Sequence, residues 1–256
     1  MDDKFQKGFY MIRLIIAVIG VLPIFILVYP FLFIEWIIGK FNRRARDLGV
    51  LRAVQALCRY VLWLSGTKVT VIGKENIPDE AALYVANHQS IFDVLVIYKD
   101  CKDLTGFVSK NSMEKVPFFN DVMRFLYCLF LDRDDIKQGL QIILKAIEYV
   151  KNGISICIFP EGTRNKGDAL SLLPFKEGSF KIALKSGCPI VPVSIAYDTE
   201  VFENHIPLLK KTHVIVEYGT PILPKELSRE EQKGIGAKCQ ALIQDTVQKN
   251  LETLQK

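Results

Sequence analysis

Ile154-Ser155-Ile156-Cys157-Ile158-Phe159-Pro160-Glu161-Gly162-Thr163-Arg164 is the stretch on which the reading of the fold turns. Its first six residues form an apolar run of strand character, and the run stops abruptly in proline, glutamate, glycine, threonine and arginine. A strand that ends this way places polar groups at the carboxyl edge of a sheet, where α/β proteins bind their ligands. Gly162 lets the backbone approach a ligand, and Arg164 offers a planar fork for phosphate oxygens. The same residues also read as an ordinary surface turn with a solvated Glu161 and Arg164, and spacing alone does not separate the two. Lys110 and Arg133 are likewise cations just beyond apolar runs, and either alone reads as a solvated charge.

Outward from this stretch, short β-rich runs alternate with amphipathic helices from Gly66 onward. Strands are predicted at Lys68 to Ile72, Ala82 to Ala86, Thr105 to Val108, Cys128 to Leu131, Ser155 to Phe159, Ile190 to Ala196 and Val214 to Tyr218. Between them, Ile91 to Tyr98, Val116 to Leu126, Ile136 to Asn152 and Phe175 to Ser186 read as helices, and Arg229 to Leu254 as a terminal helix. That alternation predicts an α/β fold, a mixed sheet flanked by helices. There is no internal repeat and no glycine-rich phosphate loop, so ATP and dinucleotide chemistry lose ground.

The N-terminal part has a different texture. From Leu14 to Ile34 no Asp, Glu, Lys, Arg or His occurs over 21 residues. As continuous helix this covers roughly 31 Å, close to the hydrocarbon thickness of a bilayer. Pro23 and Pro30 leave open a kinked span or a re-entrant hairpin in one leaflet. A cleaved signal peptide fits poorly, because the stretch is long and ends in Ile34-Glu35-Trp36 without a small-residue cleavage site. Lys40, Arg43, Arg44, Arg46 and Arg52 follow it, so the positive-inside rule puts the rest of the chain on the cytoplasmic side. Val50 to Leu64 reads as a second helix, in the interface or docked on the domain. Residues 1–65 are therefore expected to be N-terminal membrane-anchoring helices of a cell-membrane protein, and residues 66–256 one α/β domain.

Composition agrees with this division. Half of the 256 residues are hydrophobic, with the excess near the N-terminus, and the mean hydropathy is +0.20. The net charge of +5, from 33 basic and 28 acidic residues, suits anionic lipid headgroups or a phosphorylated substrate and equally an ordinary surface. No nucleic-acid partner is expected. Six cysteines, Cys58, Cys101, Cys128, Cys157, Cys188 and Cys239, are widely spaced with no C-x-x-C pair. They read as reduced core residues, neither disulfides nor a zinc site.

Among three histidines, His88 stands at a strand-to-helix junction in Asn87-His88-Gln89-Ser90-Ile91-Phe92-Asp93. A carboxylate that fixes its tautomer would make it a general base, and Asp93 is the nearest. Five residues on one helix put side chains about 140° apart, so the pair works only if His88 precedes the helix. Ser90 and Asp93 have a capping-box outline that allows this. The competing reading gives Asp93 to the helix N-terminus and leaves His88 a turn residue.

The two constellations together resemble the glycerolipid acyltransferases. Residues 87–93 match their H-x4-D signature and Phe159 to Arg164 their F-P-E-G-T-R signature. Phe130-Leu131-Asp132-Arg133 and Ile190-Val191-Pro192-Val193-Ser194-Ile195 are weaker blocks in the expected order, so the resemblance covers Ala82 to Ile195. Length and N-terminal segment are similar to the bacterial 1-acyl-glycerol-3-phosphate acyltransferases. The resemblance implies direct transfer of an acyl group from acyl-CoA or an acyl carrier protein to a lysophospholipid 2-hydroxyl, with membrane lipid around it. It implies His88 as general base oriented by Asp93, with no cofactor and no metal. It implies Glu161, Gly162, Thr163 and Arg164 on the glycerol phosphate, with Arg133 and Lys110 as further phosphate contacts. An acyltransferase acting on glycerol-3-phosphate, another lysophospholipid or a lyso-ornithine lipid shares these signatures. A membrane-bound esterase would need a serine nucleophile for which no motif is apparent, and an idle lipid-binding protein would not need both sets of ionisable residues.

Overall fold

In the computed structural model of the chain, residues 3–133, 135–167 and 170–254 are described. Two long helices come first, α1 (Asp3–Phe41) and α2 (Arg43–Ser65). Both prolines lie inside α1, which continues through them as one helix. A chain reversal within Leu14 to Ile34 is thus not adopted, since each proline forfeits one backbone bond while its apolar neighbours carry the helix on. The reversal comes at Asn42, whose side-chain oxygen accepts from Ala45 N at 3.0 Å and caps α2. The two helices run antiparallel, Gly20 facing Tyr60 and Leu64, and Gly49 facing Glu35. α1 leaves much of its apolar side uncovered, with Ile26 76% and Leu27 63% exposed. By length and composition both helices could cross a membrane.

α2 packs directly onto the α/β domain. Its Val50, Leu51, Cys58 and Leu62 are buried in one cluster with Phe92, Val96 and Ile97 of α3 (Phe92–Tyr98). Of the two placements open for the second helix, docking on the domain is the one adopted.

The sheet has seven strands: β1 (Lys68–Ile72), β2 (Leu83–Ala86), β3 (Thr105–Lys110), β4 (Leu129–Leu131), β5 (Ser155–Ile158), β6 (Ile190–Ala196) and β7 (His213–Tyr218). Their order is β1-β7-β6-β2-β5-β3-β4. Every neighbouring pair is parallel except β6 and β7, so the sheet is mixed, as expected. β2, β5 and β6 are buried along their whole length, which is why they read as near-continuous apolar runs. Alternation assigns their side chains to two layers. Tyr84, Ala86, Cys157 and Val193 face the α2 and α3 side. Leu83, Val85, Ile156 and Ile190 face α5 (Ile136–Lys151), α6 (Lys181–Ser186) and α8 (Ile235–Leu254).

All seven predicted strands are present, with ends moved by a residue or two. Helix bounds differ more. Val116 to Leu126 reduces to α4 (Phe119–Phe125), preceded by a 3-10 turn over Asn111–Lys115, because Val116 precedes Pro117 and is pushed out of the helical region. Phe175 to Ser186 is a 3-10 turn, Glu177–Phe180, followed by α6. Arg229 to Leu254 is broken at Gly234 into α7 (Arg229–Lys233) and α8, with Ser228 and Glu231 forming a capping box at the start. Cys101 is half-buried and the other five cysteines are buried.

Because β2, β3, β4, β5 and β6 all point one way, the segments leaving their carboxyl ends gather on one edge. Asn87-His88, Lys110, Asp132-Arg133, Phe159 to Arg164 and Tyr197 to Glu203 are those segments. The candidate site is built there.

Candidate active site

Where the β2 ladder ends, Asn87 continues it with its side chain. Its Nδ2 donates to Ile195 O at 2.9 Å and its Oδ1 accepts from Ile195 N at 2.8 Å. The amide thus does for β6 what another peptide unit would do, and it frees the chain to turn. His88 comes next, tied at both backbone ends to the loop after β5. Its N–H donates to Glu161 Oε1 at 2.7 Å, and its carbonyl accepts from Asn165 N at 2.7 Å. The imidazole stacks on Phe159, with centroids 4.1 Å apart and planes 18° off parallel.

His88 lies on the turn before α3, the one placement that lets it reach Asp93. The Nδ1 to Asp93 Oδ2 distance is 2.7 Å, and Asp93 is fully buried. The same oxygen accepts from Gln89 N at 2.9 Å and Ser90 N at 3.0 Å. One half of the expected capping box, Asp93 reaching back to the Ser90 N–H, is therefore present. The other half differs, since the Ser90 hydroxyl accepts from Phe92 N and donates to Glu203 Oε2 at 2.6 Å. Capping the helix and holding the histidine are not rival roles for Asp93, because a carboxylate oxygen accepts several donors at once.

Burial pushes the His88 imidazole down to about 4, with Arg164 and Arg133 adding to the effect and Asp198 and Glu161 opposing it. Near neutral pH it is uncharged, with Nδ1 taken by Asp93. The ring nitrogen left for a substrate proton is Nε2. Burial pushes Asp93 up, countered by hydrogen bonds from Asp198, Ser90 and Gln89.

Glu161 is buried and spends both oxygens on backbone, Oε1 on His88 N and Oε2 on Leu173 N at 2.9 Å. It clamps the His88 turn to the loop after β5. Gly162 has φ +73°, so this position favours glycine for its conformation, and the flexible end of Lys176 lies against it. Thr163 and Arg164 are exposed. One guanidinium nitrogen of Arg164, Nη1, is 3.3 Å from Glu203 Oε1, an oxygen that also accepts from Ile91 N at 2.8 Å. Arg133 is exposed but close enough for its charge to act on His88. Lys110 ends β3, opposite Leu131, and is exposed at the same edge.

The fold thus joins His88, Asp93 and Glu161 by direct hydrogen bonds, brings Arg164 and Arg133 into the same electrostatic field, and leaves Lys110 at the rim. Sequence reasoning assigned nothing to Phe159 beside the imidazole, Lys176 beside Gly162, or Asp198 and Glu203 after β6. Asp198 carried a readable signal: the apolar run Ile190 to Ala196 also stops abruptly, in Tyr197-Asp198-Thr199-Glu200.

Residues 68–196 match the model of the Acyltransferase family. Over 202 residues the chain is 32% identical to the 1-acyl-sn-glycerol-3-phosphate acyltransferase of Borreliella burgdorferi, covering 78% of each chain. Over 167 residues it is 31% identical to the protein of the same name in Escherichia coli K12, covering 65% of this chain and 66% of that one. It superposes on the crystal structure of the 1-acyl-sn-glycerophosphate (LPA) acyltransferase from Thermotoga maritima with a TM-score of 0.79 at 28% identity, covering 96% of both. The matched span runs from the first residue of β1 to the last of β6 and carries both His88-Asp93 and the loop from Phe159 to Arg164: the chain belongs to the acyltransferase family.

Proposed function

We propose that this acyltransferase moves a fatty acyl group from the thioester of acyl-CoA or an acyl carrier protein to the 2-hydroxyl of 1-acyl-glycerol-3-phosphate, giving phosphatidate. The observation that carries the mechanism is the 2.7 Å contact between His88 Nδ1 and buried Asp93, at a sheet edge that also holds Arg164 and Arg133. Asp93 keeps the Nδ1–H tautomer, so Nε2 accepts the proton of the acceptor hydroxyl as its oxygen attacks the thioester carbon. The C–S bond breaks, and the leaving thiolate takes the proton back from Nε2–H. The Asp93 charge stabilises the imidazolium in between. Direct transfer is supported by Ser90, the nearest hydroxyl along the chain, which is committed to Glu203 and Phe92 N.

Phosphate recognition falls to Arg164, with Arg133, Lys110 and the backbone at Gly162 and Thr163 around it. Glu161 accepts from His88 N and Leu173 N and so holds the loop that presents these groups, with the spare lone pairs of its oxygens turned to the same acceptor. Purified protein given labelled acyl donors and a panel of acceptors in detergent micelles should acylate lysophosphatidate fastest. Preferential use of glycerol-3-phosphate, another lysophospholipid or a lyso-ornithine lipid would overturn the substrate assignment.

The exposed apolar face of α1 further supports attachment to the membrane, with the catalytic domain on the cytoplasmic side after Lys40, Arg43, Arg44, Arg46 and Arg52. Full-length protein should then sediment with membranes through a high-salt wash and require detergent for release. Recovery in the supernatant without detergent would refute the attachment.

A further inference from the structure

Behind His88, a second carboxyl group meets Asp93. Asp198 is the second residue after β6, and both it and Asp93 are fully buried. Asp93 Oδ2 is supplied by three N–H donors, His88 Nδ1, Gln89 N and Ser90 N. Its other oxygen, Oδ1, is buried and receives none. Among the described residues no other residue donates to either oxygen of Asp198, and the hydrogen-bonding side chain it faces is Asp93.

Two ionised carboxylates in contact, out of water and without a cation between them, repel in a medium that screens poorly. The remaining charged groups nearby do not relieve this: Glu203 adds negative charge, and Arg164 is exposed and turned toward Glu203. One proton between the two carboxyls removes the conflict. It belongs on Asp198, because the Asp93 charge is stabilised by three donors from other residues and Asp198 is met only by its own backbone N–H. The Asp198 O–H then donates to Asp93 Oδ1, and that donation gives a partner both to this oxygen and to the protonated oxygen of Asp198.

We propose that Asp198 is a positioning residue for acyl transfer, donating a hydrogen bond as a neutral acid to Asp93 Oδ1 and thereby fixing the carboxylate that orients His88. The proposal rests on the His88-Asp93 reading of the mechanism. With Oδ1 anchored, the Asp93 carboxylate plane cannot swing away from Nδ1, and Asp93 remains the ionised member of the pair.

Asparagine is nearly isosteric with a protonated aspartate and presents an N–H donor in its place. Asp198→Asn should therefore keep kcat within a few-fold of the wild type. Asp198→Ala should lower kcat on the order of ten-fold or more, the loss of one hydrogen bond to a charged group, with both KM values unchanged. An infrared difference spectrum, wild type minus Asp198→Asn at neutral pH, should show the C=O stretch of a protonated carboxyl. Equal impairment of the alanine and asparagine variants, a wild-type kcat in Asp198→Ala, or a missing carboxyl band would overturn the proposal. If Asp198→Ala does not fold, the asparagine variant and the infrared band still decide it. The band reads the Asp198 proton independently of turnover, so failure of the acyl-transfer reading, seen as full activity in His88→Ala, is distinguishable from failure of the Asp198 assignment.

Discussion

Alanine in place of His88 should lower kcat by about 10²–10⁴-fold, the range expected when a positioned general base is lost, while the protein stays folded. The imidazole is not needed for the fold in the way Asp93 is. Both backbone groups of His88 are held by Glu161 and Asn165, and these bonds survive the substitution. Asp93→Asn should also be strongly impaired, because it keeps an oxygen to accept from Gln89 and Ser90 but loses the charge that favours imidazolium. Circular dichroism and steady-state kinetics on both variants check this, and near wild-type turnover in His88→Ala would refute the mechanism. The pH profile offers a second check on the same group. Burial lowers the His88 pKa from 6.5 to about 4, so the imidazole stays neutral as the pH drops below the ordinary histidine value. On that basis kcat/KM should hold through pH 6.5 and fall only toward pH 4, with this limb absent from the residual activity of His88→Ala.

Arg164 carries the second large effect. Its side chain is about half exposed, at 47%, and Nη1 approaches Glu203, which leaves the rest of the fork for phosphate oxygens. Arg164→Ala should cost about 1.5–3 kcal/mol for a charge-assisted hydrogen bond, roughly a ten- to hundred-fold loss in acceptor efficiency. Solvent screening at this exposure favours the lower end. Arg164→Lys should also be impaired, since lysine keeps the charge and loses the planar two-point geometry. Apparent KM values for both substrates decide the matter. A rise confined to the acceptor is expected; equal rises for acceptor and thioester, or no change, would return Arg164 to a solvated turn.

The strands, their buried character and the break after Phe159 were legible because they depend on local composition. A fully buried strand must be apolar throughout, and Pro160 and Gly162 punctuate its end whatever the rest of the chain does. The helices were less legible where a single proline or glycine shifts the outcome, as at Pro117 and Gly234. His88 and Asp93 were recognisable as a pair by spacing, but spacing left helix capping and histidine orientation as alternatives. Only the turn before α3 showed that one oxygen of Asp93 does both.

By itself, then, the sequence determined a mixed α/β domain behind a long apolar segment, and the two polar loops to which we assign the chemistry. Tertiary structure alone decided which residues stand around them, because strand order is not written in local periodicity. β2 pairs with β5 and β6, which lie dozens of residues further along the chain, and this crossover brings Glu161 to the His88 backbone, Glu203 to Ser90 and Arg164, and Asp198 to Asp93. Each of these contacts joins residues more than 35 positions apart, beyond the reach of any helix or strand period. Their geometry arises from closing the sheet and excluding water from its carboxyl edge, where a buried carboxylate must find a donor.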